Sequence, residues 1–347
     1  MADREKFSSQ ELVIVMSNYE LGAIRAIKEF PRGSRKAPKL LITADSGEYL
    51  LKRRARGKDD PYKVAFAHAI QLYLATVKFP LPHLIGTRKD NNSMFQHNGR
   101  VFEMFEYIRG SNYDNSLEET FDSGRTLALY HKLLRDFKTE FQPGVGSYHD
   151  ARNLHSGFER LPEMLGKADR EHVITERQMS STMEFLQRAY EEAKGKVNAA
   201  GLLEWPAQIV HCDWHPGNVL FRNREVVAAL DFDSARLQQR VIDLANGVLQ
   251  FSILGGSEDP GSWPEYLDES RFKRFLRGYD EVDPVPAEEV QVIPWLMIEA
   301  MVAESIFPIA ATGFFGRIDG YGFLAMIERK IRWIQKNHVK LLGRVAG

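Results

Sequence analysis

Two carboxylates and a carboxamide lie close together in the middle of this chain, at Asp213, Asn218 and Asp231. Oxygen donors of this kind suit a small hard cation, and a carboxylate nearby can take the proton of an attacking hydroxyl. All three fall in the stretch Ile209 to Asp233, IVHCDWHPGNVLFRNREVVAALDFD. Its apolar pattern says how they are held. Ile209-Val210 is a short apolar run, and His211 to Asn218 is a polar loop. Val219 to Phe221 is a second run, Arg222-Asn223-Arg224 a turn, and Val226 to Leu230 a third run. Two short β-type runs about a turn predict a hairpin, with Asn218 at one end and Asp231 at the other.

The spacing is more specific than the composition. His211, Asp213 and Asn218 fit H-x-D-x-x-x-x-N, a kinase catalytic-loop spacing, and a strand-end Asp follows Asn218 by 13 residues. The segment resembles the phosphotransferase family that includes the aminoglycoside phosphotransferases and choline kinases. That family shows H-G-D-x-H-P-x-N, then I-D-F-x-x, then D-L-A. Here they read His211-Cys212-Asp213-Trp214-His215-Pro216-Gly217-Asn218, Leu230-Asp231-Phe232-Asp233 and Asp243-Leu244-Ala245. The resemblance implies an α+β, protein-kinase-like two-lobed fold. Residues 1–107 would form a small antiparallel-sheet lobe that binds nucleotide, and residues 108–347 a mostly helical lobe for catalysis and substrate. It implies transfer of the γ-phosphoryl of ATP to a hydroxyl of a small molecule, such as an aminoglycoside, amino alcohol, sugar or homoserine-like acceptor. Asp213 would be the catalytic base, with Asn218 and Asp231 holding Mg²⁺. His211 reads as a loop-packing residue. His215 either reaches the transferring phosphate or caps the loop. Asp243, at a helix start, would brace the loop.

Two other readings stand beside this one. His211, Asp213 and His215 alternate, so on a strand they would share a face as a metal-binding trio of a hydrolase, but Pro216-Gly217 ends any strand there. A nucleotide-binding module of weak or no activity is the other, and it rests on departures in the first hundred residues.

There, Ser8 or Ser9 caps a short helix through Met16, and Ile24–Phe30, Lys39–Thr43 and Glu48–Lys52 read as strands, the last two joined by the turn Asp45-Ser46-Gly47. The loop Pro31 to Lys36 stands where kinases place a glycine-rich loop, yet neither G-x-G-x-x-G nor a Walker A pattern occurs. Gly33 and Ser34 can still offer backbone N–H groups to phosphate. Period-2 alternation puts Leu50 and Lys52 on one face, and Lys52 would contact the α- and β-phosphates. From Arg25 to Lys63 there are 12 Lys/Arg against 5 Asp/Glu, a surplus that suits a phosphate ligand. Pro61 begins a helix with an apolar stripe, where kinases carry a Glu that pairs with the strand Lys. No acid occurs between Pro61 and Val77; the best-placed positions hold Ala67, His68 and Gln71. Lys52 then needs Asp59, Asp60 or the nucleotide alone as partner.

Val101 to Ile108 reads as a buried strand that crosses between lobes. By the resemblance, the backbone at Glu106 to Ile108 binds adenine, with Met104 at the back of the pocket. From Ser116, whose spacing to Glu119 fits a capping box, the chain is predicted helical, and no A-P-E or long activation segment follows Asp233.

The whole chain has an ordinary globular composition, 44% apolar and 27% charged over 347 residues, long enough for two lobes. Its net charge of −1 predicts no general attraction to nucleic acid or membranes. The single Cys212 excludes an internal disulfide and fits a reducing, cytoplasmic setting. The N-terminal residues lack an apolar run and no stretch approaches about 18 uninterrupted apolar residues, so neither export nor membrane spanning is predicted.

Overall fold

The computed structural model describes residues 4–167, 175–256 and 259–343. In chain order its first elements are α1 (Ser9–Met16), β1 (Ile24–Glu29), β2 (Lys39–Ala44), β3 (Gly47–Arg53), α2 (Pro61–Thr76), β4 (Phe95–His97), β5 (Arg100–Glu106) and α3 (Leu117–Leu134). Then come α4 (Leu154–Lys167), α5 (Glu176–Ala199), β6 (Ala207–Val210), β7 (Val219–Arg222), β8 (Glu225–Ala229), β9 (Arg236–Gln239) and α6 (Arg240–Ser252). The last are α7 (Glu269–Val282), α8 (Ala287–Thr312), β10 (Phe314–Phe315), β11 (Ile318–Asp319) and α9 (Gly320–Leu342). They form two compact units. The first comprises Met1–Tyr113, Phe137–Gly144 and Gly217–Ala235, and the second Asp114–Asp136, Val145–Pro216 and Arg236–Gly347.

The first unit is built on an antiparallel sheet of order β1-β2-β3-β5-β4. One face carries Leu40, Ile42, Leu51, Phe102 and Met104, which pack on Val15, Tyr19 and Leu21. Alternation therefore turns Lys39, Lys52 and Glu103 to the other face, and register aligns them, Lys39 opposite Lys52 and Lys52 opposite Glu103. Helix α1 is fixed by a capping box: Ser8 Oγ accepts from the Glu11 N–H (3.1 Å), and Glu11 Oε2 accepts from the Ser8 N–H (3.4 Å). Asp60 caps α2, with Pro61 in its first turn.

The predicted hairpin is β7–β8. Arg222 pairs with Glu225, leaving Asn223-Arg224 as a two-residue loop, and both have positive φ (52° and 67°), which matches strand twist. The hairpin is fastened to its own unit in two places. Ser111 and Phe221 exchange backbone hydrogen bonds (2.8 and 3.0 Å), and the Ala229 N–H donates to the Pro80 carbonyl (2.9 Å). These bonds are why the segment belongs with the sheet although it lies a hundred residues downstream.

The second unit is mostly helical. Ser116 caps α3 as its spacing predicted, but the Glu119 carboxylate takes the Asp114 N–H (2.8 Å) rather than the Ser116 N–H, so only half the box forms. Helices α3 and α7 touch backbone to backbone. A methyl group on Gly124 would fall on the Phe275 carbonyl, and one on Gly278 on the Phe121 carbonyl. Gly278→Ala must push the two helices apart, and overpacking of this kind costs about 3 kcal/mol. The expected outcome is a thermal midpoint lowered by several degrees, read by calorimetry. Helix α8 is long and apolar enough to cross a membrane by composition, but 83% of its apolar window is buried inside the fold. It packs against α4, α5, α6 and α9 and serves as the core of this unit.

Candidate functional site

Within the first unit a cavity of about 290 Å³ opens beside the polar face of the sheet. Leu50, Lys52 and Arg54 line it from β3 and the residues after it, as period-2 alternation requires. Gly33 lines it as well. Ser34 does not: it is exposed, and its hydroxyl accepts the Lys36 N–H (3.2 Å), so the loop closes on itself. Glu106, Tyr107 and Ile108 line the edge. The Glu106 N–H is used by the His83 carbonyl and the Tyr107 N–H by the Glu48 carbonyl (2.8 and 2.9 Å), which leaves Ile108 as the next backbone donor at the rim. Met104 is not part of the cavity. It pairs with Leu51 on the core face and is fully buried there, so the back wall is Phe105 and Glu103.

The open end of the hairpin supplies the remaining wall, with Asn218, Asp231 and Asp233. The Leu230 N–H donates to the Asn218 carbonyl (2.8 Å), which sets Asn218 across from Leu230 and next to Asp231. Asp231 has positive φ (61°), a conformation that Asp tolerates better than most residues and that turns the chain out of β8.

Lys52 does not pair with Asp59 or Asp60. Asp60 is spent on capping α2, and Asp59 pairs with Arg100 (3.4 Å). The Lys52 ammonium lies 3.5 Å from Glu103 Oε2 and 3.4 Å from Asp233 Oδ2. Arg54 donates to Glu103 Oε1 (2.7 Å) and to both oxygens of Asp233 (2.9 and 2.6 Å). Burial alone would raise the Glu103 carboxyl, but Lys52, His68 and Arg54 outweigh it and hold it well below the ordinary range. Burial likewise works against the charge on Lys52, yet Glu103 and Asp233 leave its pKa raised. Asp233 is held low against its burial by Lys52 and Arg54. The cavity therefore keeps fixed charges of both signs at neutral pH.

Asn218 and Asp231 offer hard oxygen donors on one rigid support. Among the described residues no group of three or more His, Cys, Asp or Glu forms a metal cluster. Two protein oxygens with room beside them fit Mg²⁺, which keeps several waters and takes phosphate oxygens as ligands.

The second unit holds the polar loop. Strand β6 stops at Val210, and His211 is fully buried, with its ring edge-on to Trp214 and Tyr130 (5.3 and 5.7 Å). Its Nδ1 accepts the Asp213 N–H (3.3 Å). A histidine spent in this way packs the loop and leaves no face for a metal trio. Asp243 braces the loop from the start of α6. It accepts the backbone N–H of His211 (2.6 Å) and Cys212 (3.0 Å), and the His131 Nε2–H (3.0 Å). Burial would raise its pKa, but the His131 hydrogen bond and the nearby imidazoles hold it low. Asp213 is half-buried, with His215 Nε2 3.6 Å from its Oδ1.

A second cavity, of about 230 Å³, lies in this unit next to that loop. Cys212, Arg236, Gln238 and Glu304 are among its lining. Sequence reasoning missed it. The available signal was Glu304, one of two acids, with Glu299, in the largely apolar middle of α8, since charged groups are rarely placed in such a helix without a use. Glu304 is exposed at the cavity's edge, and the protein packed beside it, with the Asp213 carboxylate, pushes its carboxyl up to about 7.

Residues 26–285 match the model of the phosphotransferase enzyme family, APH. The chain belongs to this family. It is 23% identical over 300 residues to the homoserine kinase of Sinorhizobium medicae, covering 85% of this chain and 82% of that one. The structure is similar to an aminoglycoside phosphotransferase from Alicyclobacillus acidocaldarius, with TM-score 0.70, 17% identity and coverage of 99% and 98%. It is also similar to a microcompartment-associated aminopropanol kinase, with TM-score 0.68, 14% identity and coverage of 97% and 100%. The fold is thus the α+β, protein-kinase-like fold of the family. The chain is an enzyme that transfers a phosphoryl group to a hydroxyl of a small molecule, the activity its motifs predicted.

Proposed function

We propose that the enzyme phosphorylates a small hydroxylated amine, an amino alcohol or a homoserine-like amino acid, from Mg·ATP. The observation that carries this is the hairpin end, which brings Asn218 and Asp231 to the cavity that also holds Lys52. When bound, the metal–nucleotide supplies the transferable phosphoryl group and neutralises its developing charge. Asn218 and Asp231 hold the metal, and Lys52 binds the phosphates. Gly33 offers its backbone to them, while the backbone at Glu106 and Ile108 meets the edge of adenine. Asp213 orients the acceptor hydroxyl and takes its proton late in the transfer. His215 lies beside Asp213, with Nε2 3.6 Å from its Oδ1, and steadies the loop that carries it.

The acceptor class is supported by relatives named homoserine kinase and aminopropanol kinase. It is supported also by the second cavity, which lies beside the loop at Cys212 and is lined by the Glu304 carboxylate, a partner for an ammonium group. There Glu304 binds the acceptor's ammonium. A carboxyl raised to about 7 is neutral below that pH and anionic above it. Wild-type KM for homoserine or aminopropanol is therefore expected to fall from pH 6 to pH 8. In Glu304→Gln the KM is high and flat over that range. An acceptor panel assayed with labelled ATP tests the class. Efficient labelling of a kanamycin-type aminoglycoside, with none of the small amines, would refute it.

A further inference from the structure

Helix α2 carries no acid, yet the lysine that such an acid would steady is not left without one. Glu103 stands directly opposite Lys52 in the β3–β5 register, on the face that lines the cavity. Its side chain is fully buried. Oε1 is engaged twice, by His68 Nε2 (2.7 Å) and by Arg54 (2.7 Å). Oε2 is buried and has no hydrogen-bond partner among the described residues; the Lys52 ammonium faces it at 3.5 Å. His68 comes from the middle of α2, is 1% exposed, and is itself held by Ser93 Oγ on Nδ1 (2.8 Å). One imidazole nitrogen thus fixes the carboxylate while the other is fixed by a hydroxyl, so the ring has one orientation open to it.

We propose that Glu103, held by His68, is the positioning residue for Lys52: the acid that steadies the phosphate-binding lysine has moved from the helix to the neighbouring strand, and the helix keeps its hold on it through an imidazole. The proposal rests on the reading of Lys52 as a phosphate ligand. Its physical content is that Lys52 arrives at the nucleotide already aligned. A buried carboxylate bound through its other oxygen cannot follow the ammonium if it swings away, so the lysine's reach is set by the sheet. Arg54 takes part by occupying Oε1 and thereby leaving only Oε2 to Lys52. A purely structural ion-pair cluster would have the same contacts but no reason to affect one part of a ligand more than another.

Calorimetric binding of two probes separates these roles: Mg·AMP-PNP, which has phosphates, and adenosine, which has none. Glu103→Gln keeps the shape and removes the charge. It is expected to weaken Mg·AMP-PNP about tenfold or more while leaving adenosine within about twofold. The double variant His68→Glu with Glu103→Gln returns a carboxylate to the helix and is expected to recover most of the lost affinity. His68→Gln carries the same test if Glu103→Gln does not fold, with a smaller loss confined to Mg·AMP-PNP. Equal weakening of both probes, or of neither, overturns the proposal when Lys52→Ala weakens Mg·AMP-PNP alone. If Lys52→Ala leaves Mg·AMP-PNP unchanged, the phosphate role of Lys52 fails, and the proposal fails with it.

Discussion

Asp213→Ala is expected to bind Mg·ATP within about twofold of wild type and to turn over about 10²–10⁴-fold more slowly. The residues proposed to hold the nucleotide belong to the other compact unit. On the role proposed for Asp213, what it removes is an acceptor of the hydroxyl proton whose position is over-determined. The backbone of the residue is tied to His211 Nδ1, and His211 is wedged between Trp214 and Tyr130. A water in place of the carboxylate has neither the charge nor that fixed position. Calorimetry for nucleotide and a coupled ADP assay for turnover read the two halves separately. Weakened nucleotide binding with unchanged turnover at saturation would remove Asp213 from the chemistry.

Asp243→Ala should act on both stability and activity. The side chain is 1% exposed and satisfies three donors: the backbone N–H groups of His211 and Cys212 and the His131 imidazole. Truncation leaves all three buried without an acceptor, a loss of about 3–5 kcal/mol. That is a large share of an ordinary domain's stability, so a thermal midpoint lowered by ten degrees or more is expected, with turnover lost even below it. Because this carboxyl is held below its ordinary range, its contribution is complete above the unfolded-state pKa and is lost as pH falls through the folded one. The gap between wild type and variant should therefore narrow in acid. A gap that widens in acid would show that Asp243 is not the charged brace.

Local signals carried much of this architecture. The turn at Arg222-Asn223-Arg224, the helix start at Pro61 and the Leu50/Lys52 alternation each depend on neighbours in sequence; the last two are found where their patterns put them, and the turn is one residue tighter, since Arg222 stays in β7. Asp243 was legible for the same reason, as an acid at a helix start. Non-local facts were not. The partnership of Lys52 with Glu103 depends on the register of two strands fifty residues apart, which no periodicity encodes. Met104 shows how sharp that limit is. Adjacent residues on a strand face opposite ways, so a one-residue difference in phase sends Met104 to the core and Phe105 and Glu103 to the cavity. Glu304 lies ninety residues beyond the motif, and only folding brings it to the loop that holds Asp213. The missing helix acid was read correctly as a departure, but the sequence alone did not say that a strand supplies it.

The most direct test of phosphoryl transfer to a small alcohol is phosphorus NMR of the enzyme with Mg·ATP and homoserine, repeated with aminopropanol. The expected result is a phosphomonoester resonance that grows in step with ADP for at least one acceptor and is absent with Asp213→Ala. Release of inorganic phosphate alone with both acceptors, or ester formed at the full rate by Asp213→Ala, would contradict it.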